Sequence, residues 1–386
     1  MAPCTGIPLS PAELQYLHTS LSQDPPIRPD GRSPTQFRPL VAETDVLPST
    51  NGSARICFPD GTEAMVGVKA EVEKTREGGQ NVKGEVDGKT GKDEEVGDDS
   101  NRSARSGRGW GEWVEIGIEI PGIRDDDALP IFLSAMLTEA LLADAGLKDT
   151  LWINTRFHWR LYIDVRDLSE PIPPTKLIPF SQILLLSQPL SYPLPLLSLT
   201  THLALLSTRL PSLISERDED PLFNDDWEAS TYLYPRSKAD GSSAPRPPIT
   251  LLVMSVGKMI YFDPSADELA VADAVVALSV TSTSTTDADA LPLKLVALRT
   301  IDPPSRLTAG GVPNVLSTTS TTGTASTGTT GTDGVLAIRE KDQGQSVWRP
   351  PRGGVKRAVV GRMIKAVVEK GGVGMEVMAG LAGVET

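Results

Sequence analysis

The chain is poor in the residues that build covalent or metal frameworks. Only two cysteines, Cys4 and Cys57, occur in 386 residues, which excludes a disulfide scaffold or a cysteine-rich zinc site and fits a reducing compartment. The three histidines, His18, His158 and His202, fall in separate segments without the spacing a metal site needs. Positive charge is also short: 37 Lys and Arg against 50 Asp and Glu leave a formal net charge of −13. Affinity for nucleic acid comes mainly from neutralising phosphates, so this balance excludes a generic polyanion binder, although clustered cations can still act locally. The opening residues MAPCTGIPLSPAEL have neither a basic nor an apolar region, so no secretory signal is expected.

Apolar residues make up 39% of the chain, beside 34 Gly and 32 Pro. That is low for a compact protein and points to unpacked stretches, yet roughly 260 residues remain to build a core. The run from Leu177 to Thr208 has no charged residue. Pro179, Pro189, Pro193 and Pro195 interrupt it, so it reads as a buried strand and helix rather than a membrane span.

Along the chain, SPAELQYLHTSL (10–21) has Ser10 as a helix cap and Pro11 at the first position. GSARICF and TEAMVGVKAEV read as a hairpin turning at PDG (59–61). Residues 73–109 lose periodicity and read as a disordered insertion. WVEIGIEI (113–120) alternates as one half-buried strand, and 129–146 is a helix with Gly146 as its C-cap. WRLYIDV is a strand, 166–182 a second insertion, and ILLL a buried strand. A helix follows with its prolines in the first turn, then a polar loop over 215–248. ITLLVMSVGKMIYFDPS is a strand pair turning at Gly257-Lys258, with two further strands after it. A Ser/Thr/Gly tract fills 302–353, and the chain closes on an amphipathic helix, 354–370. Its Lys356, Arg357, Arg362 and Lys365 lie opposite the apolar face and read as a solvated surface. Mixed sheets with helices packed on them fit this order better than a strictly alternating fold.

The block RPDGRSPTQFRPL…ETDVLPSTNGSARICF…TEAMVGVKAEV, with WRLYIDV, LLSTRLP and FDPSADE after it, resembles the RNase PH-like ring subunits of the RNA exosome, and among them the ribosomal-RNA-processing protein 42 branch. The likeness covers most of 10–300 and the last helix. It implies an RNase PH-like α/β fold, of mixed α+β sheets, with a duplicated core of the ribosomal protein S5 domain 2 type. Residues 28–301 would form that core, after an N-terminal extension (1–27) and before the 302–353 loop and a C-terminal helical region (354–386). It further implies partnership with other RNase PH-like ring subunits and with RNA-binding cap subunits, RNA threading the channel, no membrane, no cofactor, and a place in nucleus, nucleolus and cytoplasm.

In catalytic relatives, carboxylates hold a metal and a Gly-Gly-Thr-Arg loop at a helix N-terminus holds the attacking phosphate. Asp267 and Asp273 fall near the positions of that carboxylate pair. The loop's place is taken by Ser187-Gln188-Pro189-Leu190-Ser191-Tyr192-Pro193, which lacks Gly and Arg and whose prolines remove N–H donors. The expectation is therefore a non-catalytic subunit with no metal, in which Asp267 and Asp273 are vestigial or serve turn and helix-start hydrogen bonds. The alternative is an active phosphorolytic 3′-5′ exoribonuclease using both with Mg²⁺. Arg28, Asp30, Gly31 and Arg32 form the family's entry motif, expected to pin the N-terminal segment through Asp30–Arg pairing. Archaeal relatives offer arginines to RNA from the helix matching 129–146, which here has none. Arg102, Arg105 and Arg108, ending the 73–109 insertion, are the remaining RNA-backbone candidates, against the plainer reading of a solvated linker end.

Overall fold

The computed structural model describes residues 9–75, 111–124, 127–143, 145–164, 183–185, 191–215, 219–235, 246–282, 293–306, 348–351 and 354–384. Of the insertion expected over 73–109, residues 76–109 lie outside them, as do 166–182 and most of the 302–353 tract; Glu73 and Lys74 are instead the end of a strand, paired with His158 and Phe157.

The first sheet has seven strands: β1 (Val41–Thr44), β2 (Gly52–Cys57), β3 (Glu63–Lys74), β4 (Val114–Ile116), β5 (Ile118–Glu119), β6 (Phe157–Asp164) and β7 (Ile183–Leu185). β2 and β3 form the expected hairpin, with Gly61 at φ +80° in its turn. The long β3 pairs with β7 at Ala64–Met65 and with β6 from Gly67 to Lys74. This hand-over splits the single strand expected over 113–120. β4 runs parallel to β6, then β5 runs parallel to β7, with the break at Gly117. The alternation survives, since Val114, Ile116, Ile118 and Ile120 are all buried.

The second sheet is four-stranded and antiparallel in the order β11-β10-β12-β13, so the connection from β11 to β12 passes over β10. Its strands are β10 (Ile249–Val256), β11 (Met259–Phe262), β12 (Ala274–Ser282) and β13 (Leu293–Ile301). The turn falls at Gly257, φ +58°, as expected. The stretch expected as a polar loop, 215–248, is not structureless: Thr231–Tyr232 (β9) pairs with Arg209–Leu210 (β8).

Between the two sheets lies α4 (Leu194–Ser207), in contact with β2, β3 and β10, and every residue of it is buried. A helix covered on all sides needs no polar face, and this explains the charge-free run. Its hydroxyls are satisfied locally or by the sheets. Thr200 and Thr201 donate to carbonyls one turn back, Ser198 accepts from Thr250 N at 2.7 Å, and Ser207 exchanges hydrogen bonds with Ser53. At its C-terminal end the backbone presses on Gly52, where an added Cβ would lie 2.4 Å from Thr208 Cα. Among the described residues no helix is long and apolar enough to cross a membrane.

The remaining helices differ from expectation in extent. α1 (Pro11–Ser22) has the predicted Ser10 cap, completed as a capping box by Glu13. α2 (Ala128–Leu142) stops before Gly146, which lies inside a separate helix, α3 (Ala145–Thr150). The turn between them lets Leu147 and Leu151 enter the core. A one-turn helix, α5 (Ala266–Leu269), follows β11. The single C-terminal helix is in fact a pair, α6 (Arg357–Val368) and α7 (Val373–Ala382), hinged at Gly371 with φ +76°. Trp348, inside the expected low-complexity tract, is buried in the cluster that holds Leu14, Leu21 and Tyr261.

Candidate functional site

The sequence offers three arginines between 28 and 38 but only one carboxylate, Asp30. The partners come from the FDPSADE stretch more than 220 residues away. Arg28 is fully buried and forms a two-pronged pair with Glu268, Nε to Oε1 at 2.7 Å and Nη2 to Oε2 at 2.8 Å. Its other donors reach the carbonyls of Ser33, Phe262 and Asp263, so all five guanidinium N–H groups are used. Glu268 has a second duty, accepting from Ser265 N at 2.9 Å to cap α5.

Asp263 is the hub. Its φ of +47° is a left-handed conformation that Asp tolerates better than most residues. Its buried carboxylate accepts from Arg32 Nη1 at 2.9 Å, Arg38 Nε and Nη2 at 2.8 Å, and Arg38 N at 3.0 Å. Burial alone would raise the Asp263 pKa, but the Arg38 and Arg32 hydrogen bonds and charges hold it below the usual carboxylate range. Burial likewise opposes the charge on Arg38, and Asp263 and Asp60 outweigh it, raising its pKa. Arg38 also reaches Asp60 at 2.6 Å and Ser191 Oγ at 3.0 Å, and so ties both sheets to the N-terminal strap.

This corrects the expectation that Asp30 pins the segment. Asp30 does pair with Arg32, and stands 3.7 Å from Arg28, but it is partly exposed while the buried anchors are Glu268 and Asp263. Gly31, φ +74°, makes the turn between the two arginines. Sequence reasoning missed Asp263, Glu268 and Arg38. The signal available was the surplus of buried-type arginines over local carboxylates.

The two carboxylates singled out as vestigial candidates have different surroundings. Asp267 sits exposed in the first turn of α5, and among the described residues its side chain makes no hydrogen bond or ion pair. Asp273 accepts from Gly257 N at 2.6 Å and so closes the β10–β11 turn. The helix start at Ser265 is capped by Ser265 and Glu268 instead. Among the described residues no group of three or more His, Cys, Asp or Glu could hold a metal. Residues 187–190 of the segment that stands in the place of the phosphate loop, and Arg102, Arg105 and Arg108, lie outside the described residues. A few residues further on, Pro193 is the N-cap of α4 and Pro195 stands in its first turn, with no side-chain cap.

Two of the three histidines, His158 and His202, are packed into the fold. His158 stacks on Trp113 at 4.3 Å and shares a hydrogen bond with Thr75. His202 lies wholly inside α4, with Nδ1 donating to the Pro247 carbonyl at 2.8 Å. Burial pushes its pKa down to about 3, so it is neutral. Asn51, in a glycosylation-like tripeptide, spends its amide on packing: Nδ2 donates to Arg209 O and Oδ1 accepts from Ala70 N.

No protein-family model matches the sequence. The curated protein "Exosome complex component RRP42" of Saccharomyces cerevisiae is 30% identical over 296 residues, covering 75% of this chain and 86% of that protein. "Exosome complex component rrp42" of Schizosaccharomyces pombe is 31% identical over 285 residues, covering 70% and 78%. A solved chain of the Archaeoglobus fulgidus exosome with RNA bound to the active site matches more loosely. It is 17% identical over 75% of this chain and 87% of its own, with a TM-score of 0.46. The two mixed α/β layers are of the kind expected for an RNase PH-like α/β fold. On the identity and coverage of the two yeast relatives, the chain belongs to the RRP42 family of exosome complex components.

Proposed function

We propose that this chain is a non-catalytic scaffold subunit of the RNA exosome ring, helping to form the channel through which RNA passes for 3′-5′ processing and decay. Membership of the RRP42 family supports the place in the complex. The observation that carries the non-catalytic reading is the fate of the arginines. Arg28, Arg32 and Arg38 are neutralised by four carboxylates, Asp30, Asp60, Asp263 and Glu268. A cluster with a surplus of negative charge does not attract a phosphate nucleophile. The α4 N-terminus adds no compensation, since two of its first positions are prolines without N–H groups. Phosphoryl transfer depends on positioning and charge stabilisation, and the described residues around this cluster offer no free cation for it, which supports the non-catalytic reading.

In this reading the partners are other RNase PH-like ring subunits and RNA-binding cap subunits. Threaded RNA passes along the stretch that ends in Arg102, Arg105 and Arg108. The complex works in nucleus, nucleolus and cytoplasm, which imaging of the tagged chain tests. The decisive experiment is co-expression with affinity-tagged exosome subunits, then an RNA assay with phosphate and Mg²⁺. One copy per ring is expected, with any phosphorolysis untouched by D267N/D273N. Phosphorolysis abolished by D267N/D273N, with assembly intact, establishes the active-enzyme alternative instead. Reversing the charge of Arg102, Arg105 and Arg108 together is expected to weaken RNA retention by the ring and flatten its salt dependence; an unchanged slope removes them from the RNA path.

A further inference from the structure

Between α4 and the second sheet the chain makes an excursion, described over 211–215 and 219–230, that is tied to the fold by hydrogen bonds and packing yet shows apolar side chains to solvent. Its backbone is fixed by a narrow ladder, with Asn224 N donating to Ser212 O at 2.9 Å and Ile214 N to Leu222 O at 2.8 Å. It is anchored beneath by Phe223, whose ring lies 4.9 Å from Trp159, and by Asn154 Nδ2 donating to Glu219 O at 3.0 Å. Asp226 accepts from Glu228 N at 3.0 Å and fixes the turn that carries Trp227. From this frame Leu213, Ile214, Leu222 and Trp227 are 45%, 55%, 62% and 49% exposed. Four of the ten large hydrophobic residues exposed among the described residues thus fall in one short excursion. Exposed apolar surface on the order of several hundred Å² is the size at which such patches mark contact sites.

The charge around them is predominantly negative. Glu219, Asp220, Asp225, Asp226 and Glu228 flank the apolar residues, and the sequence of 211–235 holds seven Asp and Glu against one Arg, Arg217. Arg156, from outside the excursion, answers only Asp220, at 3.2 Å. A nucleic acid or an anionic lipid surface is repelled by this arrangement. A protein surface with cations around an apolar centre matches it on both counts, with the tryptophan as the kind of anchor that dominates interface cores.

We propose that the face formed by Leu213, Ile214, Leu222 and Trp227 is a docking surface for a protein subunit whose complementary face is an apolar pocket rimmed by lysine and arginine. The inference rests on reading this chain as an exosome subunit, which places such subunits around it. The test is hydroxyl-radical footprinting of the full chain, alone and within the exosome complex purified by co-expression, with oxidation read at Leu213, Leu222 and Trp227. Oxidation falls about fivefold on assembly if these residues enter an interface core. Assembly of the D225N/E228Q variant also loses part of its salt dependence, because attraction between rim charges is screened by salt. A wild-type chain that joins the complex with unchanged oxidation overturns the docking surface and leaves the exosome reading standing. A wild-type chain that does not join overturns both. Protection already present in the isolated chain, and rising with its concentration, assigns the surface to a second copy and also overturns the inference.

Discussion

Replacing Glu268 with glutamine removes one charge from a pair that water does not reach, and the geometry sets the cost. Both side chains are fully buried, and the carboxylate takes two short hydrogen bonds from Arg28. Glutamine keeps an oxygen for the Ser265 cap, so the change isolates the ion pair from the helix start. An unpaired buried guanidinium costs about 3–5 kcal/mol, far above the 0–1 kcal/mol of an exposed pair. With a urea dependence of about 2–3 kcal/mol per molar, the unfolding midpoint should fall by about 1–2 M with its slope unchanged. R28M should cost about as much, and R28M/E268Q less than the two together by at least about 2 kcal/mol. Limited proteolysis should then cut first within residues 22–40, the strap that the pair fastens. An E268Q midpoint within about 0.3 M of wild type would refute the reasoning, since it would place the pair among screened surface contacts. The network also has a pH signature. Asp263 titrates below its unfolded value, so its stabilisation is present above the ordinary carboxylate range and is lost as pH falls through its folded pKa.

Other perturbations probe separate parts of the fold. His202 stays neutral down to about pH 3 in the folded chain. The unfolded chain takes up a proton near pH 6.5, so stability is whole at pH 7.5 and falls by about 1.4 kcal/mol at pH 5.5. H202Q should remove that share of the slope, and coincident wild-type and variant profiles from urea titrations would contradict it. Gly52→Ala drives a Cβ onto the Thr208 backbone. It should cost about 2–3 kcal/mol, read as a lowered thermal midpoint. Asp273→Ala removes the acceptor of Gly257 N and should cost about 1 kcal/mol, whereas Asp267→Ala, on an exposed turn, should stay within about 0.5 kcal/mol.

Features with a local cause were legible in the sequence. Ser10 and Pro11 start α1, the Gly257 turn joins β10 to β11, and Pro195 opens α4, because each depends on residues a few positions apart. Features set by distant partners were not. The break at Gly117 exists because β3 shares one edge between β6 and β7, and nothing within 113–120 records that. The second C-terminal helix, VGMEVMAGLA, has two glycines that lower its intrinsic propensity. It is held by packing, with Val373, Met378 and Leu381 buried. The site divides the same way. The carboxylates near the expected catalytic positions drew attention by spacing, while the buried hub, Asp263 with Glu268, became visible only when residues 225 to 240 positions apart met.

The placement of α4 has a consequence for how the chain is made. A ribosome delivers residues 41–207 first, including all seven strands of one sheet and the whole helix. The surface that covers the other side of α4, with Thr250 and Ile249 at its start, comes later, at 249–301. Until β10 arrives, a helix apolar on every side has one flank open, and the Pro247 carbonyl that accepts the His202 Nδ1 hydrogen bond is not yet there. Such an intermediate exposes the kind of surface that chaperones hold and that aggregates when they do not. Fragments ending before residue 249 should therefore be insoluble, and nascent chains stalled there should be the species that chaperones retain.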